Sequence, residues 1–457
     1  GVTVTPRSSD IRGAMSRPRF FYTLLVWLVM PLAALYLLWR SRRQPEYRRH
    51  WGERFGWADY GALAQRSAER AGPLIWIHAV SVGETRAAEP LIAALADRFA
   101  DARFLLTHMT PTGRATGAAL AARRPGRIVQ CYLPYDLPFA VRRFLRAWQP
   151  TIGLGMETET WPNLLAAARA AGLPMVLVNA RLSEKSLRSA QRTPALMREA
   201  AQSFTQVLAQ TEADAARMRV VGATRIDVIG NLKFDFTPDA ALVEHGRRWR
   251  ATRGDRPVLL FASTREGEEA LLLAALQRAN AASASIVLLV PRHPQRFDAV
   301  AQLMSGQGVG VVRRSTAAWQ QPIEPGALLL GDSMGEMAMY YAAADVACIG
   351  GSLLPLGGQN LIEACAVGTP VVVGPHTFNF AQATADAIAT GAALRVDDAD
   401  AAVTAMLAIA GDAARCARMS EAALAFAAQH RGATQRAVER IAPLIDGRET
   451  GSQFSRG

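Results

Sequence analysis

The alternation of short apolar runs with longer amphipathic stretches constrains this chain more than any other feature. It begins near residue 72, where residues 74–80 read LIWIHAV, and it recurs at 257–263, which read PVLLFAS. Between such runs, Leu91, Leu95 and Phe99 repeat at helical spacing. Strands that lack polar alternation are buried on both faces, with helices as the cover. The pattern therefore predicts an α/β fold built on parallel sheets.

The alternation occurs twice along the chain, which predicts two doubly wound, Rossmann-like domains that face a cleft. Predicted strands of the first half lie at 74–80, 103–109, 127–132, 151–156, 175–179, 205–209 and 226–229, and those of the second at 257–263, 286–290, 310–313, 327–330, 345–349 and 371–374. The predicted organisation is a disordered extension (1–14), a membrane anchor with a basic segment (15–50), a first domain (51–230), a hinge (231–255), a second domain (256–445) and a polar tail (446–457). Ligands of such folds bind at the carboxyl ends of the strands.

A run of twenty uncharged residues at 20–39 predicts a membrane anchor. A helix of that length crosses a hydrocarbon layer of ~30 Å, and aromatic residues stand at both of its ends. A buried core helix is the alternative, whereas a cleaved signal peptide is disfavoured because Arg40, Arg42 and Arg43 follow directly. These arginines predict a cytoplasmic location for the body of the protein. The sequence leaves open whether the segment spans the bilayer or enters one leaflet.

The formal net charge of +12 raises the question of a nucleic-acid partner. Lysine occurs only at Lys185 and Lys233, so nearly all of the basic residues are arginine. No basic run is interleaved with aromatic residues, as single-strand binders require. We therefore expect no nucleic-acid partner, and we assign the basic surface to anionic lipid.

In the first half, acidic residues and a lysine stand where predicted strands end. Glu84 opens a helix after the first strand and is a candidate general base, although a glutamate there also complements the helix dipole. Glu157 and Glu159 follow another buried strand, where desolvating two carboxylates is costly. Two interpretations stay open for this pair, a functional role and the capping of the next helix. Lys233 lies in the predicted hinge and is either functional or simply solvated.

In the second half, the corresponding positions suggest a nucleotide phosphate site. Arg292 and His293 follow a buried strand, and an arginine is a natural phosphate partner. Glycine clusters at 331–337, 350–352 and 357–363 precede predicted helices, where backbone N–H groups can bind phosphate. Neither a P-loop nor a GxGxxG motif after the first strand is present in the sequence. His, Cys, Asp and Glu show no metal-ligand spacing, so we expect neither a metal nor a cofactor.

Eleven segments in matching order resemble the 3-deoxy-D-manno-octulosonic acid (Kdo) transferase family. They are HAVSVGE, THMTPTG, YLPYDLP, METETWPN, NARLS, NLKFD, ASTREGEE, VPRHPQRF, GDSMGEM, GGSLLPLGGQNLIEA and GPHTFNF, and the resemblance extends over about residues 15–440. It implies a GT-B glycosyltransferase on the cytoplasmic face of the bacterial inner membrane. The implied reaction moves Kdo from the donor CMP-Kdo to a lipid A precursor (lipid IVA), with inversion and without a metal.

The resemblance also implies roles for individual residues. Glu84 matches the family's proton acceptor, and Glu157 and Lys233 match positions that stabilise the transition state. The stretches implied to contact CMP comprise Pro291, Arg292, Met334, Gly335, Glu336, Asn360, Leu361, Ile362 and Glu363. Arg265 and Gln359 stand where the family often has histidine, and both residues keep the ability to form hydrogen bonds.

Two other functions remain open on the sequence. A nucleotide-sugar epimerase of the same fold would not need an apolar segment followed by arginines. A membrane-tethered binding protein would tolerate Glu84→Gln, whereas an enzyme with Glu84 as its base would lose turnover.

Overall fold

The computed structural model describes residues 15–65 and 72–453, with side chains described up to residue 447. The predicted extension at 1–14 and the last residues of the predicted tail lie outside this part of the chain.

Fourteen strands lie in the described residues, arranged as two sheets of seven parallel strands. They are β1 (Leu74–His78), β2 (Arg103–His108), β3 (Ile128–Tyr132), β4 (Ile152–Met156), β5 (Met175–Ala180), β6 (Gln206–Ala209), β7 (Ile226–Val228), β8 (Val258–Thr264), β9 (Ile286–Pro291), β10 (Val311–Arg313), β11 (Leu328–Leu330), β12 (Val346–Ile349), β13 (Val371–Val373) and β14 (Ala393–Arg395).

Helices lie between these strands along the chain, and further helices precede the first strand and follow the last one. They are α1 (Arg17–Arg40), α2 (Trp51–Phe55), α3 (Tyr60–Gln65), α4 (Val82–Arg98), α5 (Pro111–Ala122), α6 (Pro138–Trp148), α7 (Pro162–Ala170), α8 (Glu184–Ala190), α9 (Pro194–Gln202), α10 (Glu212–Val221), α11 (Ala240–Ala251), α12 (Glu268–Arg278), α13 (Ala281–Ala284), α14 (Phe297–Ser305), α15 (Met337–Ala342), α16 (Ile362–Val367), α17 (Ala381–Ala389), α18 (Ala399–Ala410), α19 (Ala413–His430) and α20 (Ala433–Gln453). Single 3₁₀ turns occur at Pro45–Arg48, Leu232–Phe234, Pro294–Arg296, Ala317–Gln320 and Phe378–Phe380.

Both sheets are doubly wound, so in each of them the chain order reverses beside the first strand; in the second sheet, β11 also lies between β9 and β10. The first has the order β3-β2-β1-β4-β5-β6-β7, and the second β10-β11-β9-β8-β12-β13-β14. The reversals therefore lie between β1 and β4 and between β8 and β12. Every residue of β1 and of β4 is buried, as expected for strands covered on both faces. This confirms the predicted fold class of two Rossmann-like domains with an apolar N-terminal helix.

All the predicted strands are present, but the sequence analysis missed β14. This strand has only three residues, it pairs with β13 at the edge of the second sheet, and Arg395 within it is exposed. Such an edge segment needs no continuous apolar run, so its pattern does not stand out from a loop.

The chain forms two compact units, and their boundaries differ from those of the predicted domains. The first comprises 1–233 and 432–457, and the second 234–431. The predicted hinge contains helix α11, which belongs to the second unit because Gly246 lets it pack tightly against the backbone of Met339. The final helix α20 returns to the first unit, where Ile441 and Ile445 are fully buried in its core.

Candidate active site

The reversal point of the first sheet carries the acidic residues that the sequence singled out. His78 ends β1 and lies in register with Gly155 of β4, so the segments that follow these strands leave the sheet side by side. Glu84 belongs to the first segment, whereas Glu157 and Glu159 belong to the second. Ligands of doubly wound sheets bind at such a point.

Glu84 lies in the first turn of α4 and takes part in a reciprocal cap. The Ser81 hydroxyl accepts a hydrogen bond from the Glu84 N–H (3.4 Å), and Glu84 Oε2 accepts one from the Val80 N–H (2.7 Å). Among the described residues, Glu84 Oε1 has a single partner, the Ser81 hydroxyl, which donates a longer hydrogen bond to it (3.3 Å). The side chain therefore fulfils the helix-start role weighed for it, while Oε1 keeps lone pairs for another partner.

The pKa of Glu84 is raised to about 7. Burial is the main cause, and the negative charges of Glu159 and Glu157 add to it, whereas the hydrogen bond from the Val80 N–H acts in the opposite direction. A carboxylate with a pKa near neutral pH is both ionised and basic enough to take a proton.

Glu157 and Lys233 form an ion pair beside the start of α4. Lys233 Nζ lies 2.6 Å from Glu157 Oε1, and it lies 3.8 Å from the place where a Cβ on Gly83 would be. Glu157 has a φ of 61°, a left-handed conformation that costs a non-glycine residue about 1–3 kcal/mol. The structure thus brings together all three residues, Glu84, Glu157 and Lys233, for which the resemblance implies catalytic roles.

Buried amides position Lys233. Asn231 accepts hydrogen bonds from the Lys233 N–H (3.0 Å) and from Asn179 (3.3 Å), and it donates one to Gln210 (2.9 Å). Asn179 in turn accepts from the Leu232 N–H at 2.9 Å. The lysine is therefore placed by β5, β6 and the segment after β7, which sequence spacing does not reveal.

Glu159 is held by a second set of groups, which sequence reasoning missed. Trp161 Nε1 donates to Glu159 Oε2 at 2.7 Å, and His78 Nε2 lies 3.4 Å from the same oxygen. His78 Nδ1 lies 2.9 Å from the Thr107 hydroxyl, which fixes the orientation of the ring. The only signal in the sequence was the position of His78 at the end of a predicted strand.

The reversal point of the second sheet also has a carboxylate, but backbone N–H groups donate hydrogen bonds to both of its oxygens. Glu268 is fully buried and accepts hydrogen bonds from the N–H groups of Arg265 (2.8 Å), Gly351 (2.6 Å) and Leu353 (3.1 Å). A Cβ on Gly350 would lie 2.3 Å from the Ser263 carbonyl oxygen, so glycine is required there for packing. The loop after β12 is thereby fixed against the end of β8.

Arg292 follows β9, and its exposed guanidinium lies near polar groups of the loop before α16. Its Nε donates to Gln359 Oε1 at 3.3 Å, and Asn360 Nδ2 lies 3.3 Å from Glu363 Oε1. Burial raises the pKa of Glu363, and Asn360 and the positive charge of Arg292 partly offset that effect. Arg292, Asn360 and Glu363 thus lie together, as predicted.

The remaining candidate residues of the second unit contribute in different ways. Met334 is exposed, Gly335 has a φ of 77°, and Glu336 is paired with Arg314 at 2.9 Å. The side chains of Leu361 and Ile362 are buried, which leaves only their backbone for a ligand. Pro291 is the buried last residue of β9.

The helix starts that follow the glycine clusters are weaker anion sites than the sequence suggested. Helices α15 and α16 have six residues each, so their dipoles are small. Asn360 Oδ1 already accepts a hydrogen bond from the Ile362 N–H at 2.9 Å. Within residues 15–65 and 72–453, no group of three His, Cys, Asp or Glu side chains could hold a metal ion.

Two family models match the chain. Residues 49–236 match the model described as 3-Deoxy-D-manno-octulosonic-acid transferase (kdotransferase), and residues 273–426 match that of glycosyl transferases group 1.

Curated relatives cover nearly the whole chain. A 3-deoxy-D-manno-octulosonic acid transferase of Bordetella pertussis is 49% identical over 90% of this chain and 96% of its own length. One from Haemophilus influenzae is 33% identical over 94% of this chain and 99% of its own length. Among solved structures, the C-terminal CMP-Kdo binding domain of WaaA from Acinetobacter baumannii is 32% identical, with a TM-score of 0.38, over 41% of this chain and 98% of that domain.

Proposed function

Since the chain belongs to the 3-deoxy-D-manno-octulosonic acid transferase family, we propose that it transfers Kdo from CMP-Kdo to a lipid A precursor (lipid IVA), with Glu84 as the general base. One observation carries the assignment of the base: a partly buried carboxylate at the reversal point of the first sheet has a pKa near 7. An enzyme that activates a sugar hydroxyl at neutral pH needs such a group.

In the proposed reaction, Glu84 takes the proton of an acceptor hydroxyl as its oxygen attacks the anomeric carbon of Kdo. The new glycosidic C–O bond forms as the bond from that carbon to the CMP phosphate breaks, and CMP leaves with the electron pair. Attack opposite the leaving group inverts the anomeric carbon. No step requires a metal ion if protein side chains bear the charge that develops on CMP.

Lys233 and Glu157 are proposed to stabilise the transition state. The Lys233 side chain is 36% exposed, so it can contact a substrate while Glu157 holds its ammonium group in place. Kdo carries a carboxylate, and a fixed cation is a suitable partner for it. The ion pair also limits the net negative charge around Glu84, because Lys233 compensates the charge of Glu157, one of its two neighbouring carboxylates.

The second unit is proposed to bind CMP. Arg292 has an exposed guanidinium that can bond to phosphate oxygens and take up the charge that develops on the leaving group. The carboxylate of Glu363 can accept hydrogen bonds from ribose hydroxyls. Pro291, Met334, Gly335, Glu336, Asn360, Leu361 and Ile362 are proposed to line this site, the last two through their backbone.

The lipid acceptor requires an enzyme at a membrane. Helix α1 is long and apolar enough to reach the hydrocarbon layer, and Arg40, Arg42 and Arg43 follow it. We propose attachment to the bacterial inner membrane with both units on the cytoplasmic side.

The direct test incubates the purified full chain with CMP-Kdo and lipid IVA in detergent micelles and weighs the lipid product. We expect mass increments of whole Kdo units, and the same yield after treatment with EDTA. A product with unchanged mass would contradict the transferase assignment, whereas a yield that is lost with EDTA and restored by a divalent cation would contradict only the metal-free mechanism.

A further inference from the structure

One side of helix α1 contacts the first unit along the whole length of the helix. Residues of α1 and its caps that are at least partly buried recur at successive turns, namely Ser16, Pro18, Arg19, Tyr22, Thr23, Val26, Met30, Ala33, Ala34, Leu37, Arg40 and Ser41. That spacing is one stripe of an α-helix. The helix is therefore docked on its own domain from one end to the other.

Polar contacts fix the N-terminal end of α1. Arg19 pairs with Glu199 of α9 at 2.7 Å, and the Tyr22 hydroxyl donates to Asp136 Oδ2 at 3.0 Å. Asp136 is almost completely buried, and it also accepts hydrogen bonds from the N–H groups of Asn163 (2.9 Å) and Leu164 (2.8 Å). These partners belong to the folded body of the unit, so the start of α1 lies against it.

Apolar contacts fix the middle and the C-terminal end. The rings of Trp27 and Phe139 stack at 5.8 Å. Leu37 is buried in a cluster with Tyr47 and Phe55, against which Met30 and Ala34 also pack. The domain therefore holds both ends of the same helix.

A helix held in this way cannot cross a bilayer upright. Its 24 residues are ~36 Å long, more than the ~30 Å hydrocarbon layer. Upright insertion would carry the partners of its N-terminal end, including Glu199 and Asp136, to the far side of that layer together with the helices that bear them. Charged and irregular segments of a folded domain are not tolerated in contact with lipid.

The other side of α1 is exposed and apolar. It presents Phe20, Phe21, Leu24, Leu25, Trp27, Leu28, Val29, Leu32, Leu35, Tyr36, Leu38 and Trp39. The surface continues onto the body of the unit, where Trp57 is 65% exposed and Phe139 is 37% exposed. Exposed arginines adjoin both ends, with Arg17 before the apolar run and Arg42, Arg43, Arg48 and Arg49 after it. An apolar surface bordered by cations matches an anionic phospholipid leaflet.

We propose that α1 lies in the plane of one leaflet, with its exposed side among the acyl chains and both of its ends on the side of the catalytic units. The sequence of α1 resembles that of a membrane-spanning helix because α1 has apolar residues on all sides. In the proposal, one side faces protein and the other faces lipid. The inference rests on contacts within the first unit and not on the proposed reaction, so either can fail alone.

Topology can be tested with single cysteines that react with a membrane-impermeant maleimide. Met15→Cys precedes α1, and Val220→Cys is an exposed control on α10 of the same unit, both in a Cys416→Ala background. We expect neither cysteine to react in sealed spheroplasts and both to react after the membrane is permeabilised. Labelling of Met15→Cys alone in sealed spheroplasts would overturn the proposal, because the two ends of α1 would then lie on opposite sides of the membrane. Labelling of both cysteines would leave the in-plane helix standing and overturn only the cytoplasmic location proposed above.

A second experiment measures how deeply α1 lies in the membrane, with the full chain bound to vesicles of phosphatidylethanolamine and phosphatidylglycerol. Spin labels at Leu24, Leu28 and Leu35, all on the exposed side, should report depths within a few Å of one another. An upright helix would separate the first and last by ~16 Å along the membrane normal. A graded depth, or labels that remain in water because the protein does not bind the vesicles, would overturn the proposal.

Discussion

The reversal points of the two sheets use a carboxylate in opposite ways. In the first unit, Glu84 is partly buried, Oε1 has only one long hydrogen bond, and the pKa of the side chain is raised to about 7. In the second unit, Glu268 is fully buried, and three backbone N–H groups use its oxygens to fix a glycine-containing loop.

The difference teaches how one fold can support two kinds of site. A carboxylate with a free lone pair is available for proton transfer, whereas one saturated by backbone donors only organises a loop. The first unit therefore offers a carboxylate for proton transfer, and the second offers a fixed loop beside Arg292, which we propose as part of the nucleotide site. The following predictions test this division of labour.

The largest effect is expected for Glu84→Gln. Glutamine can still accept the hydrogen bond from the Val80 N–H, so the fold should persist, but it cannot take a proton. We expect kcat to fall by about 10²–10⁴-fold, with CMP binding unchanged. Steady-state kinetics and CMP titration measure both quantities. Glu89→Gln, on the same helix, is the matched control and should keep full activity.

A smaller loss is expected when the ion pair of the first unit is broken. Lys233→Met and Glu157→Gln should each lower kcat by about 10–100-fold, because each leaves its partner without a counter-charge. The double variant should lose less than the product of the single losses, since the residues act as a unit. Lys185→Met, at the chain's other lysine, should be neutral. Strictly multiplicative losses would show that the pair does not act as a unit.

In the second unit, Arg292→Ala is expected to raise the KM for CMP-Kdo by about 10-fold, because one charge-assisted contact to phosphate is lost. Arg278→Ala, which removes an exposed pair with Asp400, is the control and should leave KM unchanged. If Arg292→Ala instead lowered kcat with no change in KM or in CMP affinity, the arginine would not belong to the nucleotide site.

The smallest effect concerns the pH profile. The base must be ionised, so kcat/KM should rise with pH through an apparent pKa near 7. The negative charge of Glu159 raises the pKa of Glu84, so Glu159→Gln should move this rise to lower pH by less than one unit. The variant would then be relatively more active at pH 6. A shift to higher pH, or no rise in either protein, would exclude this electrostatic link.

The sequence was sufficient for the strands because buried parallel strands require continuous apolar runs, and such runs are visible in residues such as 74–80 and 286–290. It missed β14, where three residues at a sheet edge carry no such requirement. The motif positions of Glu84, Glu157 and Lys233 also correctly indicated residues that meet in space. The buried amides that position Lys233, such as Asn179 of β5, could not be inferred because they come from a part of the chain that is distant from Lys233.

By itself, the sequence determined the fold class, the apolar helix and the residue types at the ends of the strands, because local periodicity and hydrophobicity encode them. Only the tertiary structure decided that α20 completes the first unit and that α1 is docked along its length. It also decided that backbone N–H groups of a loop bind the carboxylate of Glu268, whereas Oε1 of Glu84 has no backbone donor among the described residues. Each of these depends on which surfaces pack together. Packing joins residues that are distant in the chain, so no local pattern records it.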